Sequence, residues 1–290
     1  MRGLQKYSAW LVTTALLLSA TEGLAQNDRF ANVTIETIPV AGNVSMLIGS
    51  GGNIGVSAGD DGLLIIDDQF APLAGKIKTA LAALGSDSPK YLLNTHFHGD
   101  HTGGNVEFGA SSIIIAHENS RLRMVSENAP AIALPVVTFD DDVTVHFNGE
   151  DITLIYMPAG HTDTDSVVMF SQSNVIHMGD HFFNGAFPFI DMANGGTVQG
   201  FLSNVERALS WIDDDTAVIP GHGPLGTKAD LLAFYNVLKD TSTQIRVKKS
   251  QRMSKEEIVA EGLDPSLDSW GARFITAQRW IETVYDSYPR

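Results

Sequence analysis

Three imidazoles and a carboxylate fall within six residues in the run Asn94-Thr95-His96-Phe97-His98-Gly99-Asp100-His101-Thr102-Gly103-Gly104-Asn105. That density of nitrogen and oxygen donors points to metal chemistry, and zinc accepts both donor types. His96 and His98 stand two apart after the apolar Tyr91-Leu92-Leu93, which reads as a buried strand, so both rings leave on one side. Gly99 lets the chain turn sharply, which frees Asp100 and His101 to face a second position. Two metal sites are therefore possible.

A catalytic zinc takes three protein ligands and keeps one position for water, so further ligands must come from distant segments. Three segments offer them, each a strand-like run ending beside glycine. Leu154-Ile155-Tyr156-Met157 precedes Gly160-His161, Val175-Ile176-His177-Met178 precedes Gly179-Asp180, and Ala217-Val218-Ile219-Pro220 precedes Gly221-His222-Gly223.

The elements that must position these donors follow from periodicity. Strands are predicted over 33–39, 44–49, 54–58, 63–67, 143–147, 151–157, 166–170, 174–178 and 216–219. Helices are predicted over 71–84, 118–128, 197–212 and 228–250. Ser254-Lys255-Glu256-Glu257 is a capping box, and Trp270, Phe274, Trp280, Ile281 and Tyr285 give 270–286 a helical spacing. Those aromatics are expected to pack on the main body or on a sister subunit, and the oligomeric state stays open. Arg246, Lys248, Lys249 and Arg252 form a basic cluster, either a solvated helix face or a seat for an anionic partner.

The succession HxHxDH, Gly-His, Gly-Asp and Gly-His-Gly resembles the metallo-β-lactamase superfamily, over roughly residues 35 to 240. The resemblance implies an α/β fold, a four-layer αββα sandwich with the metals at one edge, here with a helical C-terminal extension. It implies that His96, His98 and His161 hold a first Zn²⁺, that Asp100, His101 and His222 hold a second, and that Asp180 reaches or bridges both. The mechanism it implies lowers the pKa of a bridging water from near 16 towards roughly 7. The resulting hydroxide attacks a carbonyl polarised by the first zinc, while Asp100 orients or shuttles the proton. Asp67 matches the aspartate that the superfamily keeps beneath its metal loop, where it would support the ligands; plain strand-end capping is the alternative. The glycine hairpin tip Gly49-Ser50-Gly51-Gly52-Asn53 would overhang the metals, able to close on substrate.

Among substrates, β-lactam amides come first. The chain carries an export signal, and Asn194-Gly195-Gly196 resembles the loop that meets the drug in the first lactamase subclass, with Asn194 binding substrate. Two departures stand against it: that subclass has cysteine where Asp180 stands, and a lysine where this chain runs His181-Phe182-Phe183. Asp180 fits better with a lactone, ester or thioester hydrolase of the glyoxalase II kind. A zinc-binding protein that has lost catalysis is the non-enzymatic alternative, and the full ligand set argues against it. Phe182, Phe183, Phe187 and Phe189 are expected as pocket walls or as core. His117, His146 and His177 read as structural, and His181 as supporting or structural, since a neighbour on an extended chain points the other way.

Composition bounds the rest. A chain of 290 residues, 43% hydrophobic, can build one large core. An excess of 34 acidic over 19 basic residues argues against nucleic acid and anionic membranes as partners, and the resemblance implies a small-molecule substrate with a carbonyl group. Arg2, Lys6, the apolar stretch Ala9 to Ala20 and Gly23-Leu24-Ala25 read as a cleavable bacterial signal peptide over 1–25. Its apolar core is shorter than the roughly 20 residues a membrane anchor needs, so the mature chain is expected in the periplasm or outside the cell. The predicted order is then a catalytic domain over 26–240 and a helical extension over 241–290 packed on it.

Overall fold

Valine, isoleucine and leucine in alternation build two sheets in the computed structural model, which describes residues 29–289. The expected signal peptide lies outside those residues, and Ile35–Arg290 forms one unit. Its first sheet runs β1 (Glu36–Ala41), β2 (Val44–Ile48), β3 (Ile54–Gly59), β4 (Gly62–Ile66), β5 (Tyr91–Leu93), β6 (Ile113–His117) and β7 (Val137–Phe139), hydrogen-bonded in that order. Strands β1 to β4 are antiparallel, and β4 to β7 are parallel. The second sheet comprises β8 (Asp142–Phe147), β9 (Glu150–Tyr156), β10 (Ser166–Phe170), β11 (Val175–His177), β12 (Ala217–Ile219) and β13 (Gly226–Thr227). Only β11 and β12 pair in parallel within it.

The sheets meet through Leu64, Ile66, Leu93 and Ile115 on one side and Ile152, Leu154, Val168 and Phe170 on the other. Alternation sends Leu63 and Ile65 to the opposite face, where they too are buried, as are Ile77 and Leu81 of α1 (Ala74–Ala82). Strands buried on both faces must be apolar throughout, which is why β4, β5 and β6 read as unbroken runs. β1 starts three residues later than predicted because its pairing with β2 begins at Glu36 opposite Ile48, after which β2 enters the glycine tip.

A helical layer covers the outer face of the second sheet. Thr197 caps α5 (Val198–Trp211), whose Phe201, Val205 and Ala208 share a core with Leu231, Phe234 and Leu238 of α6 (Lys228–Ser250). α6 begins with a capping box from Thr227 and Asp230 and crosses position 240 without a break, so the expected boundary between catalytic domain and extension falls inside a helix. Ile245 of its second half and Trp280 of the tail belong to the same core as its first half. Ser254 caps α7 (Lys255–Glu261) as its sequence indicates.

The segment 270–286 is not one helix. Pro265–Gly271 forms a 3-10 turn, and the chain restarts at Thr276, whose side chain accepts from the Arg279 N–H to cap α8 (Ala277–Ser287). A Cβ on Gly271 would lie 2.8 Å from the Ala277 nitrogen, a reversal that a continuous helix cannot make. Trp270 therefore packs on Phe234 from the turn, while Phe274 stays 83% exposed. Three members of the basic cluster are engaged within the chain: Lys249 donates to the Tyr285 and Tyr288 carbonyls at 2.6 and 2.5 Å, Lys248 pairs with Glu261 at 2.6 Å, and exposed Arg246 lies over the Tyr288 ring. Among the described residues no helix is long and apolar enough to cross a membrane.

Trp280 joins these helices: its ring stacks on Phe187 at 5.6 Å and its indole N–H donates to Thr241 Oγ1 at 2.9 Å. Trp280→Ala is expected to lower the unfolding free energy by about 3–5 kcal/mol, read from denaturant titration followed by circular dichroism.

Candidate metal centre

The centre is built on the carboxyl ends of β4 and β5. Asp67 follows β4 in a left-handed conformation at φ +62° and is fully buried. Its Oδ1 accepts from the Thr95 N–H at 2.8 Å, and its Oδ2 accepts from Thr95 Oγ1 at 2.7 Å and contacts His101 Nδ1 at 2.7 Å. One carboxylate thus both closes the strand end and contacts His101, a candidate ligand. Asp68 accepts from the Gly104 N–H at 2.8 Å, and Asn94 and Asn105 bond to each other at 3.1 and 2.9 Å, so both ends of the histidine run are fixed. Between them the helical turn α2 (Gly99–Thr102) redirects Asp100 and His101.

The distant ligand candidates arrive on loops with their own anchors. Asp165 accepts from the Thr162 N–H at 2.8 Å and from Thr162 Oγ1 at 2.6 Å, shaping the loop that carries His161. Glycines let backbone approach where side chains must converge: a Cβ at Gly221 would meet Asp180 Oδ1 at 2.3 Å, and one at Gly52 would meet His101 Cε1 at 2.2 Å.

Two clusters result, each with donor atoms within 4.8 Å of one another: His96, His98, His161 and Asp180, and Asp100, His101 and His222. In the first, His98 Nδ1 lies 2.9 Å from His161 Nε2. In the second, His101 Nε2 lies 3.5 Å from His222 Nε2, and Asp100 Oδ2 lies 3.4 Å from the latter. Asp180 spans them. Its Oδ1 is 3.0 Å from His101 Nε2 and 3.3 Å from His222 Nε2, whereas its Oδ2 is 3.4 Å from His161 Nε2 and 3.9 Å from His96 Nε2.

These residues fit metal ions on their own chemistry. Burial, then the neighbouring His101, hold His96 well below the usual imidazole range, and burial pulls His161 down to about 4, so both present lone pairs. His96 Nε2 is buried with no hydrogen-bond partner. Burial opposes charge on Asp180, but His222, His101 and His161 outweigh it and keep the carboxylate ionised. Burial likewise opposes protonation of His101, yet Asp180, Asp100 and Asp67 overcome it and raise its pKa, which shows how strongly this spot calls for positive charge. A divalent cation satisfies lone pairs and carboxylates together.

Other predicted residues are placed differently. Asn194 has both ends of its amide engaged, Oδ1 accepting from Arg123 at 2.6 Å and Nδ2 donating to Asp191 at 2.7 Å, so it braces a loop. The glycine tip is anchored at its far end: Asn53 Nδ2 donates to the Pro220 and Gly223 carbonyls, Gln69 Nε2 donates to Gly52 O, and His177 Nε2 contacts Asn53 O at 3.0 Å. His181 does point away from the ligands, but from a 3-10 turn and not from an extended chain, with Nε2 3.0 Å from Asn204 Nδ2 and burial pulling its pKa to about 3. His117 caps α4 (Glu118–Ser126), and exposed His146 pairs with Asp151. Of the four phenylalanines, Phe182, Phe183 and Phe187 are core, Phe183 also stacking on His222 at 4.9 Å, and half-buried Phe189 lies 6.0 Å from His98. Sequence reading missed Phe97, 4.6 Å from His98, and Asp191, whose Oδ2 is 3.1 Å from His98 Nε2.

Because no side chain fits between Gly52 and His101, Gly52→Val is expected to displace that ring. Metal titration against a chromophoric chelator should then show one of two equivalents weakened about 10- to 100-fold or lost.

The pattern of the metallo-β-lactamase superfamily matches residues 47–222, more than half of the chain. A hydroxyacylglutathione hydrolase of Prochlorococcus marinus is 29% identical over 163 residues, 56% of this chain and 61% of that protein. One of Nitrosococcus oceani is 31% identical over 137 residues, 45% of this chain and 47% of that protein. This chain spans between 47% and 64% of the length of such relatives. Among solved structures, a metallo-β-lactamase from Pontibacter korlensis aligns with a TM-score of 0.61 at 20% identity, over 71% of this chain and 99% of its own. The inverting sec-alkylsulfatase Pisa1 from Pseudomonas sp. aligns with a TM-score of 0.72 at 14% identity, over 88% of this chain and 50% of its own. At such identities these two share the fold. The motif order, the two-sheet fold with its histidine and aspartate cluster, and the match over 47–222 together make this chain a member of the metallo-β-lactamase superfamily of metal-dependent hydrolases.

Proposed function

We propose that the chain is a dinuclear zinc hydrolase that cleaves an acyl ester, lactone or thioester. The observation that carries this reading is Asp180, whose two oxygens divide between the two ligand clusters, the arrangement a bridging carboxylate needs. His96, His98 and His161 would hold one ion and Asp100, His101 and His222 the other. Bound there, zinc supplies the acidity that makes water a nucleophile at neutral pH and a Lewis-acid contact for the carbonyl.

The chain's own residues do the rest. Asp100, 29% exposed at the edge of the centre, is placed to take the proton that the attacking water loses and to return it to the leaving alkoxide or thiolate. Phe183 and Phe189 flank His222 and His98 and offer apolar faces to the acyl group. Arg123 gives three of its five N–H donors to Asp163 and Asn194, which leaves fewer for a substrate carboxylate. The bridging position of Asp180 favours an ester, lactone or thioester over a β-lactam, and the roughly 30%-identical relatives named hydroxyacylglutathione hydrolases support that order. β-Lactam cleavage is the second reading, supported by the fold shared with a lactamase over 99% of that protein. The N-terminal signal supports work in the periplasm or outside the cell, checked by sequencing the mature N-terminus from cell fractions.

The purified chain is expected to hydrolyse an aryl ester, a lactone or a thioester well above a penicillin, and to lose that activity to chelator. Asp100→Asn should lower kcat by about 10²–10⁴ with the circular dichroism spectrum unchanged. Penicillin as the preferred substrate would establish a lactamase, and silence on the whole panel would favour a binding protein.

A further inference from the structure

We propose that Asp191 is a positioning residue for the metal centre: it fixes His98 in the tautomer that leaves Nδ1 free for the metal, and Arg123 and Asn194 hold it there. The inference rests on the reading of His96, His98 and His161 as ligands.

His98 has two ring nitrogens with different surroundings. Nδ1 lies 2.9 Å from His161 Nε2, inside the cluster, while Nε2 lies 3.1 Å from Asp191 Oδ2, outside it. An ionised carboxylate only accepts, so Nε2 must carry the hydrogen and Nδ1 the lone pair. This repeats with opposite nitrogens what Asp67 does for His101, where Nδ1 meets the carboxylate at 2.7 Å and Nε2 faces the cluster. The other two imidazoles of the first cluster lean on neutral oxygens, His96 Nδ1 on Thr95 Oγ1 at 3.0 Å and His161 Nδ1 on the Phe189 carbonyl at 2.7 Å. Each cluster thus has one histidine backed by a carboxylate, which makes the imidazole a stronger donor as well as orienting it.

Asp191 is itself held. Asn194 Nδ2 donates to Asp191 Oδ2 at 2.7 Å, and Asn194 Oδ1 accepts from the Arg123 guanidinium at 2.6 Å. The remaining donors of Arg123 reach both oxygens of Asp163 at 2.6 and 2.5 Å, and Asp163 lies two residues past His161 on its loop. Backbone bonds close the circuit: the Asp191 N–H donates to His161 O at 2.9 Å and the Asp163 N–H donates to Asn194 O at 3.0 Å. One guanidinium on α4 therefore locks the loop of His161 to the loop that aims His98.

The test measures zinc affinity of the full chain by competition with a chromophoric chelator, with cobalt(II) absorption reporting ligand geometry and thermal unfolding reporting the fold. Asp191→Ala is expected to weaken one of two zinc equivalents about 10- to 100-fold and to alter the cobalt spectrum, with the metal-free melting temperature unchanged. Asp191→Asn keeps an acceptor but not the charge and should weaken the same equivalent less; it decides the matter if the alanine variant does not fold. Asn194→Ala should give a smaller loss at that equivalent alone. Unchanged affinity for both equivalents in the two Asp191 variants would overturn the proposal, as would equal weakening of both alongside a lower melting temperature, the mark of a purely structural loop. An unaltered chain that binds two zinc ions yet cleaves no acyl substrate would defeat the hydrolase reading and leave this comparison intact. An unaltered chain that binds no zinc would overturn both.

Discussion

Burying one ionised carboxylate among imidazole lone pairs is the constraint that the rest of this structure answers. Asp180 lies 5% exposed between two groups of donors, with an oxygen turned to each. A buried charge is costly unless opposite charge or dipoles meet it, and facing lone pairs repel unless something positive lies between. The surrounding architecture keeps these groups from relaxing apart. Gly221 admits backbone against Asp180 and Gly52 admits it against His101, while Asp67, Asp68 and Asp165, all buried, fix the loops from behind. Side chains that would prefer water are thereby held inward, ready for cations.

The two sheets make this possible by bringing loop ends together from segments far apart in sequence. The first sheet delivers Asp67 and the histidine run from neighbouring parallel strands, and the second delivers His161, Asp180 and His222 from the ends of β9, β11 and β12. Because β11 and β12 are themselves parallel, Asp180 and His222 leave the sheet on the same side. Their loops touch through the bridge between Phe183 and His222. The inter-sheet core is apolar apart from buried His177, whose Nε2 contacts Asn53 O at 3.0 Å, and the polar centre sits at the rim among glycine-rich turns.

What was legible in the sequence was whatever local spacing or strict periodicity encodes. The six residues from His96 to His101 carry their chemistry in their spacing, and α6 is bounded as predicted because a capping box starts it and helical periodicity runs its whole length. The break at 272–276 was not legible, because the aromatic spacing of Trp270, Phe274 and Trp280 mimics a helix face while Thr276 caps a new helix. The domain boundary at 240 was misplaced because motif ends do not mark where a core ends, and the core here continues through Ile245 to Val284. Asp191 was invisible for another reason: its partner His98 is 93 residues away, and nothing in the local sequence announces a contact made by folding alone. Asn194 had a legible position and an illegible job, since only the structure shows Arg123 and Asp191 occupying its two ends.

Arg123 commits three of its five N–H donors to Asp163 and Asn194, so its plane is fixed beside the centre. Aromatic rings border the centre: Phe97 against His98 and Phe183 against His222, both buried, and half-buried Phe189 near His98 and His161. Phe274 extends this border, with its ring 6.1 Å from Phe189 and 83% exposed, and it comes from the break between the 3-10 turn and α8. A continuous helix over 270–286 would have placed that ring elsewhere, so the interruption of the tail and the aromatic rim of the centre have one cause. The helical layer that buries Trp280 thereby also brings an aromatic ring towards the candidate centre, so the C-terminal segment shares both its core and its rim with the rest of the unit.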